Sequence, residues 1–339
     1  MPNDIPDYSK ATRPVRPSLL PWVFVIVTLG LIGASFVLPV PSVLRFVPGP
    51  VKDVEELIEV DGTDTFSSEG SLYLTTVGVD DHVTVAEWIW SYVDPKTVAI
   101  DKDSFTQGLS INELNRLQRQ QMVASKRAAA SVALTALGIE EEPGVEVERI
   151  IAEPARGDLG SGDIIMSIDG EEVGTACDLL ATLAHHLPED TVELEVANGS
   201  ERRSFDIRLG AAPNASTRPF IGIEMSPDDF EPVKYEFKTG RIAGPSAGLM
   251  FALALYDRLT PEDLTGGHKI AGTGEIACDG SVGPIGGIEQ KVAGAEARDA
   301  EIFLAPAGNA EAARAVADEI EVMAVSSFRD AVDHLESLD

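Results

Sequence analysis

Two glycine-rich turns, each opening a helical pattern, constrain the fold of this 339-residue chain more than any other feature. The first turn, GPSAG at 244–248, continues into apolar residues at helical spacing. The second, PIGG at 284–287, continues into an alanine-rich helix, and the strand-like IAGTGEI lies between the turns at 270–276. Strands and helices keep alternating toward the C-terminus, so the sequence predicts an α/β fold for this region.

Each turn brings one chemically useful side chain to the start of its helix. Pro245 suits the first helical position, where no backbone N–H is needed, and so places Ser246 in the first turn. Lys291, 45 residues further on, also lies near a helix N-terminus. A serine hydroxyl needs a base to become nucleophilic, and a lysine amine can be that base only when it is neutral. Burial beside Ile288 and Val292 and the helix dipole both favour the neutral amine, so the chemistry of a Ser–Lys dyad is available to this pair.

Other interpretations of these residues stay open at this point. A serine in a first turn is commonly a helix cap, and a lysine on an amphipathic helix is commonly solvated. Carboxylates near Lys291, such as Glu275 and Glu289, would favour its charged form, so a working site must keep them at a distance. A Ser-His-Asp triad is a further alternative, since His268 precedes the IAGTGEI strand and acidic residues are abundant.

Several short motifs follow one another in this region. They are GPSAG, TGEI, Gly-x-Val-x-Pro-Ile-Gly-Gly, a lysine four residues after the last glycine of that run, and APAGN at 305–309. In this order they resemble the protease domain of Lon-type serine peptidases, which use a Ser–Lys dyad. The resemblance implies that Ser246 is the nucleophile, that Lys291 is the general base and that Thr273 orients Lys291. Backbone N–H groups at the start of the first helix, around Gly244 and Ala247, are predicted to stabilise the oxyanion.

A second resemblance covers residues 143–210. A strand is followed by a Leu-x-x-Gly-Asp-x-Ile segment that ends in Ile168-Asp169-Gly170, then by a helix at 175–187 and two more strands. This order resembles a PDZ domain, which binds an extended peptide as an added strand. The nearest match to a carboxylate-binding loop is Gly144 to Val147, and its acidic neighbours would repel a carboxylate. Binding of C-termini and binding of internal segments therefore both remain open.

The N-terminal region contains an apolar run of 22 residues without charge, at 19–40. This length is enough for a helix to cross the hydrocarbon core of a bilayer, and Trp22 is placed like an interfacial anchor. A cleaved signal peptide is the alternative, but the run exceeds the usual apolar length of one. We expect an uncleaved single-pass anchor in the cell membrane, with the N-terminus inside and the catalytic body on the extracellular side.

The strand region and long helix at 112–137 are similar in order to the opening part of a Lon protease domain. With the PDZ resemblance, the chain is most similar to the membrane-anchored, ATPase-free Lon-like proteins of Gram-positive bacteria. The PDZ domain is then either inserted within the protease fold or one of three domains in sequence. The predicted organisation is a cytoplasmic tail at 1–18, a transmembrane helix at 19–40, a linker at 41–60, the N-terminal part of the Lon-like protease domain at 61–142, the PDZ domain at 143–210, and the proteolytic domain with the dyad at 211–339.

Composition excludes several classes of function. The chain has 26 basic and 56 acidic residues and a net charge of −30, which argues against a nucleic-acid partner. It has no Gly-x-x-x-x-Gly-Lys-Ser/Thr run, so an ATPase is not expected, and no His-Glu-x-x-His or Cys-x-x-Cys, so no metal or cofactor is expected. Cys177 and Cys278 fall in different predicted domains, and a disulfide between them is not expected.

The sequence thus predicts a membrane-anchored, ATP-independent serine endopeptidase whose protein or peptide substrates are recruited by the PDZ domain. The alternative is a membrane-tethered PDZ scaffold with an inactive protease fold, in which Lys291 stays protonated. The resemblance to Lon-type domains also implies a homo-oligomer, a hexameric ring.

Overall fold

A computed structural model describes residues 20–139, 144–212, 215–226, 233–240 and 242–338. Its helices are α1 (Leu20–Ser35), α2 (Val85–Trp90), α3 (Lys102–Thr106), α4 (Ile111–Ala136), α5 (Ala176–Leu183), α6 (Gly248–Leu259), α7 (Ile288–Glu296), α8 (Ala310–Val316) and α9 (Phe328–Leu335). Its strands are β1 (Val43–Pro48), β2 (Lys52–Asp53), β3 (Ile58–Asp61), β4 (Ser71–Leu74), β5 (Val77–Asp80), β6 (Val98–Asp101), β7 (Val145–Ile150), β8 (Ile164–Ile168), β9 (Glu171–Glu172), β10 (Thr191–Asn198), β11 (Glu201–Arg208), β12 (Gly210–Ala212), β13 (Ala215–Phe220), β14 (Ile223–Met225), β15 (Lys234–Phe237), β16 (Lys269–Gly272), β17 (Glu275–Ile276), β18 (Val282–Gly283), β19 (Ile302–Pro306) and β20 (Glu321–Val325).

The central sheet of the α/β domain has the strand order β2-β4-β16-β19-β20, and its last four strands are parallel. Side chains alternate between its two faces along each strand. Leu304 packs on one face with α4, α6 and α9, whereas Phe303 packs on the other face with α7 and α8. Because both faces are covered, β19 is buried along its whole length and reads as a continuous apolar run. The mixed α/β fold class is confirmed.

The central sheet is assembled from two separate parts of the chain. β4 precedes the PDZ region and β16 follows it, yet the two strands pair in parallel with Leu72 opposite Ile270. β3 and β15, which also lie on either side of the PDZ region, pair antiparallel. The PDZ region is therefore an insertion in the α/β domain, and the chain returns to the same sheet after it.

The inserted region forms a separate sheet of order β11-β10-β8-β7-β14 with its own apolar core. The predicted Asp169-Gly170 turn joins β8 to β9, with both residues at positive φ, 50° and 80°. The segment Gly144 to Val147 is not an open edge, because β7 pairs with β8 on one side and β14 on the other. The edge strand on the β7 side of this sheet is β14, which follows the region predicted as the PDZ domain.

The long helix α4 connects the α/β domain to the insertion and supplies much of the core. It begins with a capping box in which Ser110 and Glu113 satisfy each other's backbone N–H groups. Met122, Ala129 and Val132 are buried as the helical spacing predicts, whereas Ala136 is exposed in the last turn. The helix packs along α6, and this contact fixes the turn that carries Ser246.

The two cysteines form a disulfide, so the expectation of unpaired cysteines is wrong. Cys177 lies in the first turn of α5 and Cys278 follows β17, with their Cα atoms 5.2 Å apart although 101 residues separate them in sequence. Cys177 belongs to the inserted region and Cys278 to the α/β domain, but the insertion folds back so that α5 faces the segment after β17. The bond ties the PDZ helix to the α/β domain.

The apolar run at 19–40 contains α1, a helix of 16 residues. Its described side chains from Trp22 to Gly33 are all exposed. Among the residues that the structure describes, no helix meets the length and hydropathy that a membrane crossing requires.

Candidate active site

Ser246 lies in a tight turn that is held from behind by α4. The turn is a single 3-10 turn, Pro245–Ala247, with Pro245 at its first position, and α6 starts directly after it. Gly244 enters the turn at a φ of 93°, and its N–H donates to the Gln118 carbonyl over 3.1 Å. The Ser125 hydroxyl donates to the Pro245 carbonyl over 2.9 Å. Two groups of α4 thus fix the backbone on the N-terminal side of Ser246.

Lys291 lies in the first turn of α7, and the second glycine turn sets the direction in which this helix starts. Gly287 caps this helix at a φ of 70°, and a Cβ there would lie 2.7 Å from Val77, so the position requires glycine. Asn309 holds the preceding loop, because its side chain accepts from the Ile285 N–H over 2.8 Å and donates to the Ile285 carbonyl over 3.0 Å. The orientation of the lysine is therefore fixed by packing and by this amide pair.

The two side chains meet at a third one. Lys291 Nζ lies 2.9 Å from Ser246 Oγ and 2.6 Å from Thr273 Oγ1. The Thr273 hydroxyl in turn donates to the Ser246 carbonyl over 2.9 Å, so its oxygen is left to accept from the amine. Lys291 is 3% exposed and Thr273 is 1% exposed, while Ser246 is half-buried. The arrangement holds an amine and a hydroxyl in contact, with the hydroxyl nearer to solvent.

Burial controls the charge of the amine. Desolvation lowers the pKa of Lys291 from its ordinary value of 10.5 to about 7, because the ammonium form loses its hydration in the core. Within the described part of the chain, none of the ion pairs involves Lys291. Near neutral pH a large fraction of the molecules therefore carries the neutral amine, which can accept a proton from Ser246 Oγ.

The groups predicted to bind an oxyanion occupy the same turn. Ala247 is buried at the start of α6, and the Ser246 carbonyl accepts the Gly274 N–H over 2.9 Å. The Gly244 N–H is already bonded to Gln118 in this conformation. The prediction that the N–H groups of Gly244 and Ala247 stabilise an oxyanion stays a prediction.

Two residues that support the site were not identified from the sequence. Ser125 sits on the amphipathic helix α4 and reads there as an ordinary small residue, since nothing local signals its bond to Pro245. Asn309 lies within the APAGN motif, so the motif marked its position without giving its role of holding the turn before α7. His268, the alternative base, instead has its Nδ1 2.7 Å from Glu301.

One group of side chains has a spacing compatible with a metal ion. Asp80, Asp81 and His82 hold their ligand atoms within 4.8 Å of one another on the loop before α2. Asp81 and His82 are exposed and Asp80 is half-buried. Exposed acidic groups are common at protein surfaces, and this geometry alone does not define a metal site.

Comparisons with protein families define the class of both domains. Residues 238–336 match the Lon protease (S16) C-terminal proteolytic domain, and residues 135–209 match the PDZ domain. The chain therefore combines a Lon-type proteolytic domain with a PDZ domain, as the sequence motifs predicted. Lon-type proteolytic domains are serine endopeptidase domains, so the predicted enzyme class is confirmed for this part of the chain.

Individual relatives agree with this class. Lon protease 2 of Bacillus subtilis (strain 168) is 34% identical over 114 residues, which is 33% of this chain and 20% of the relative. The Lon protease of Roseiflexus castenholzii is 41% identical over 140 residues, 38% of this chain and 17% of the relative. The chain thus spans about a fifth of the length of the curated relatives it matches. The solved structure of the PDZ domain of an SdrC-like protein from Listeria monocytogenes is 28% identical to this chain. The match covers 24% of this chain and 86% of the solved domain, with a TM-score of 0.23.

Proposed function

We propose that this chain is an ATP-independent serine endopeptidase in which Ser246 is the nucleophile and Lys291 the general base. The observation that carries the proposal is the 2.9 Å approach of a buried amine to a half-buried hydroxyl. A buried lysine with a pKa of about 7 is matched to proton transfer at neutral pH. The lack of a phosphate-binding Gly-rich motif in the sequence supports independence from ATP.

The proposed reaction uses the same three side chains in two steps. Neutral Lys291 takes the proton of Ser246 as its oxygen bonds to the scissile carbonyl carbon, and the amine then returns that proton to the leaving nitrogen. Water then attacks the acyl carbon as Lys291 takes its proton. The ammonium passes that proton to Ser246 Oγ as the acyl group leaves, which restores the neutral amine and the serine hydroxyl. Thr273 keeps the amine aimed at the serine oxygen in both steps, because it accepts one N–H of Lys291 while fixed to the Ser246 carbonyl.

Loss of the nucleophile or the base should abolish this chemistry without unfolding the protein. The test is hydrolysis of fluorescein-labelled casein by the wild type, Ser246→Ala and Lys291→Ala, with covalent labelling of Ser246 by a fluorophosphonate as a second readout. We expect cleavage and labelling only in the wild type. Equal hydrolysis by all three proteins would exclude the dyad, and a wild type that neither cleaves casein nor reacts with the fluorophosphonate would support the tethered scaffold.

Membrane anchoring through residues 19–40 is the second part of the proposal. It is supported by the 22 uncharged residues of that run and by the exposure of the apolar side chains from Trp22 to Ile32. Backbone hydrogen bonds from Val40 to Val83 and from Val85 to Leu38 attach α2 to the end of the run. Exposed aromatic side chains continue beyond that junction, namely Trp88, Trp90 and Tyr92.

The disulfide supports one side of the membrane for the catalytic body. Structural disulfides persist in oxidising compartments and are rare where thiols are kept reduced. The Cys177–Cys278 bond therefore supports a catalytic body on the extracellular side, with the tail at 1–18 in the cytoplasm.

Protein substrates and self-assembly complete the proposal. The PDZ domain is proposed to bind extended segments of protein substrates, in keeping with the strand-addition mode of such domains. The Lon-type domain is proposed to assemble as a hexamer, and sedimentation of the detergent-solubilised chain tests this directly. A monomer at all concentrations would contradict the assembly and leave the dyad chemistry untouched.

A further inference from the structure

A cavity of about 560 Å³ lies between the PDZ domain and the α/β domain. Leu180 and Leu183 of α5 form one wall, and Ala124 and Ala128 of α4 form another. Its volume falls in the range of about 300–1,000 Å³ that is typical of ligand pockets. Because each domain supplies only part of the lining, the cavity exists only in the assembled chain.

The third wall of the cavity is the back of the serine turn. Pro245 lines it directly before Ser246, and Ile276 of β17 lines it beside Pro245. The turn and this strand are connected, since the Gly274 N–H donates to the Ser246 carbonyl over 2.9 Å. Ser125 joins the α4 wall to the Pro245 carbonyl over 2.9 Å. A ligand in the cavity therefore lies against the backbone that positions the nucleophile.

The disulfide closes the cavity on the side where the domains meet. Cys177 and Cys278 both line it, one from α5 and one from the segment after β17. The bond holds the two Cα atoms 5.2 Å apart and so fixes the distance between the PDZ helix and the wall next to Ser246. Without the bond, the spacing of these walls depends on non-covalent packing alone.

An open strand edge leads toward the same place. β14 pairs only with β7 among the described strands, and its Met225 lines the cavity. The guanidinium of Arg127, from α4, donates to the Met225 carbonyl over 2.7 Å and to the Ser226 carbonyl over 2.9 Å. The end of this edge strand is thus fastened to the helix that supports the serine turn. Met225 at the end of this edge strand and Pro245 next to Ser246 therefore line the same cavity.

We propose that the cavity is a substrate subsite shared by the two domains, which takes a large apolar side chain of an extended peptide lying on β14 and reaching Ser246. The Cys177–Cys278 bond keeps its walls at the spacing that this side chain needs. Thirteen of the eighteen residues that line the cavity are apolar, and this majority favours an apolar ligand side chain over a polar one. This inference rests on the proposed peptidase function and adds to it the position and chemical character of a specificity site.

Filling the cavity tests the inference. Ala184 is exposed at the end of α5 and lines the cavity, so Ala184→Trp places a bulky group in it without disturbing a core. Leu187→Trp, at a position 65% exposed outside the cavity lining, is the matched control. With fluorescein-labelled casein we expect kcat/KM to fall about tenfold or more for Ala184→Trp, mainly through KM, and to be unchanged for the control. Fluorophosphonate labelling of Ser246 should match wild type in both.

Binding separates this inference from the peptidase proposal. In the full chain carrying Ser246→Ala, the affinity for labelled casein is measured by fluorescence anisotropy. This affinity should fall about tenfold when Ala184→Trp is added. If the wild type neither cleaves casein nor reacts with the fluorophosphonate, the peptidase proposal is wrong. If the wild type does both and Ala184→Trp cleaves and binds equally well, the shared subsite alone is wrong.

The disulfide gives a second, independent perturbation. The double variant Cys177→Ser and Cys278→Ser should keep fluorophosphonate labelling of Ser246 and show a raised KM for casein, as should the wild type treated with dithiothreitol. When dithiothreitol is added to the Leu187→Trp control, its KM for casein should rise by the same factor as that of the wild type. A KM that stays constant after verified reduction of the bond would overturn its role in the subsite.

Discussion

At the scale of single residues, the Lys291 amine lies between two hydroxyl groups, 2.9 Å from Ser246 Oγ and 2.6 Å from Thr273 Oγ1. Hydroxyl groups solvate an ammonium far less than water does, so burial dominates and the pKa of Lys291 falls to about 7. An amine with an ordinary pKa would be protonated in nearly every molecule at neutral pH and could not act as a base. The apolar environment of α7 is thus part of the proposed chemistry.

The pH dependence of the rate should report this amine. Because the neutral form of Lys291 is the active one, kcat/KM for casein should rise as the pH passes through about 7 and then level off. The measurement is the initial rate of cleavage at low substrate concentration across that range, with the Lys291→Ala variant as the blank at each pH. A profile without any change near pH 7 would remove Lys291 from the role of base.

Stability should depend on pH through the same group. The pKa of Lys291 is about 7 in the folded chain and 10.5 ordinarily, so between these pH values the unfolded chain holds a proton that the folded chain has released. The free energy of unfolding of the wild type therefore rises with pH across this window, at about 1.4 kcal/mol per pH unit for one group. Below the window the folded chain holds the buried ammonium, and the full cost of burying that charge lowers the stability. Lys291→Met removes the titration, so its melting temperature relative to wild type should decline from pH 7 toward pH 10.5.

A matched substitution separates this effect from general changes of surface charge. Lys269→Met removes an exposed amine from β16, so it changes the net charge by the same amount as Lys291→Met without touching a buried group, and its melting temperature is measured over the same window. If the two variants show the same slope with pH, the slope does not come from a buried amine and the assignment fails.

At the scale of elements, the sequence identified the functional side chain on each helix but not the hydrogen bonds that hold the helix in position. The glycine turns and the motif order located Ser246, Lys291 and Thr273, and the structure brings these three side chains into contact. Local patterns also placed α4 close to its observed bounds, at 112–137 against Ile111–Ala136. The bonds from Ser125 and Asn309 were not predictable, because a serine or an asparagine has no local signature for a partner more than twenty residues away.

The close packing of α6 against β17 should make its first residue sensitive. A Cβ added at Gly248 would lie 2.7 Å from both Ile276 and Ser125, so Gly248→Ala must displace the strand or the helix. Such overpacking costs about 1–3 kcal/mol, more than the gain of about 1 kcal/mol in helix propensity. Because the displaced groups hold the serine turn, we expect casein hydrolysis to fall about a hundredfold with a lowered melting temperature.

The control for this substitution is another glycine close to the site. A Cβ at Gly286 meets nothing within 4 Å, so Gly286→Ala should leave melting temperature and activity near wild type. Full activity of Gly248→Ala would show that the Ser246 turn tolerates movement of its support.

At the scale of the whole molecule, the features that the sequence did not reveal are those created by the insertion. The disulfide joins residues 101 positions apart, and the edge strand β14 lies beyond the region that resembles a PDZ domain. Both depend on how the inserted domain returns to the α/β domain, which local periodicity does not encode. The same return creates the shared cavity beside Pro245. The architecture of each domain was therefore accessible from sequence, and their contact was not.

The aromatic side chains next to α1 give the proposed membrane anchor a spectroscopic test. The chain has three tryptophans, so Trp22→Phe leaves Trp88 and Trp90 as the only reporters. Both are exposed, at 36% and 58%, on the helix that hydrogen bonds to the end of the apolar run. Tryptophan favours the interface of a bilayer because its ring is apolar and its N–H stays near water. In vesicles of brominated phosphatidylcholine, we expect stronger quenching by bromine near the headgroups than by bromine deep in the chains.

Flotation of the same vesicles decides what a negative result means. If the protein floats with the vesicles and its emission is quenched, residues 19–40 anchor it and α2 lies at the membrane surface. If it floats without quenching, the anchor is retained, and the aromatic side chains of α2 face water or a second copy of the chain. If Trp22→Phe and the wild type both stay at the bottom of the gradient, the membrane anchor itself is wrong. Activity on soluble casein should persist in all three cases, because the Ser246 turn and α7 are held by α4 and the central sheet and not by α1.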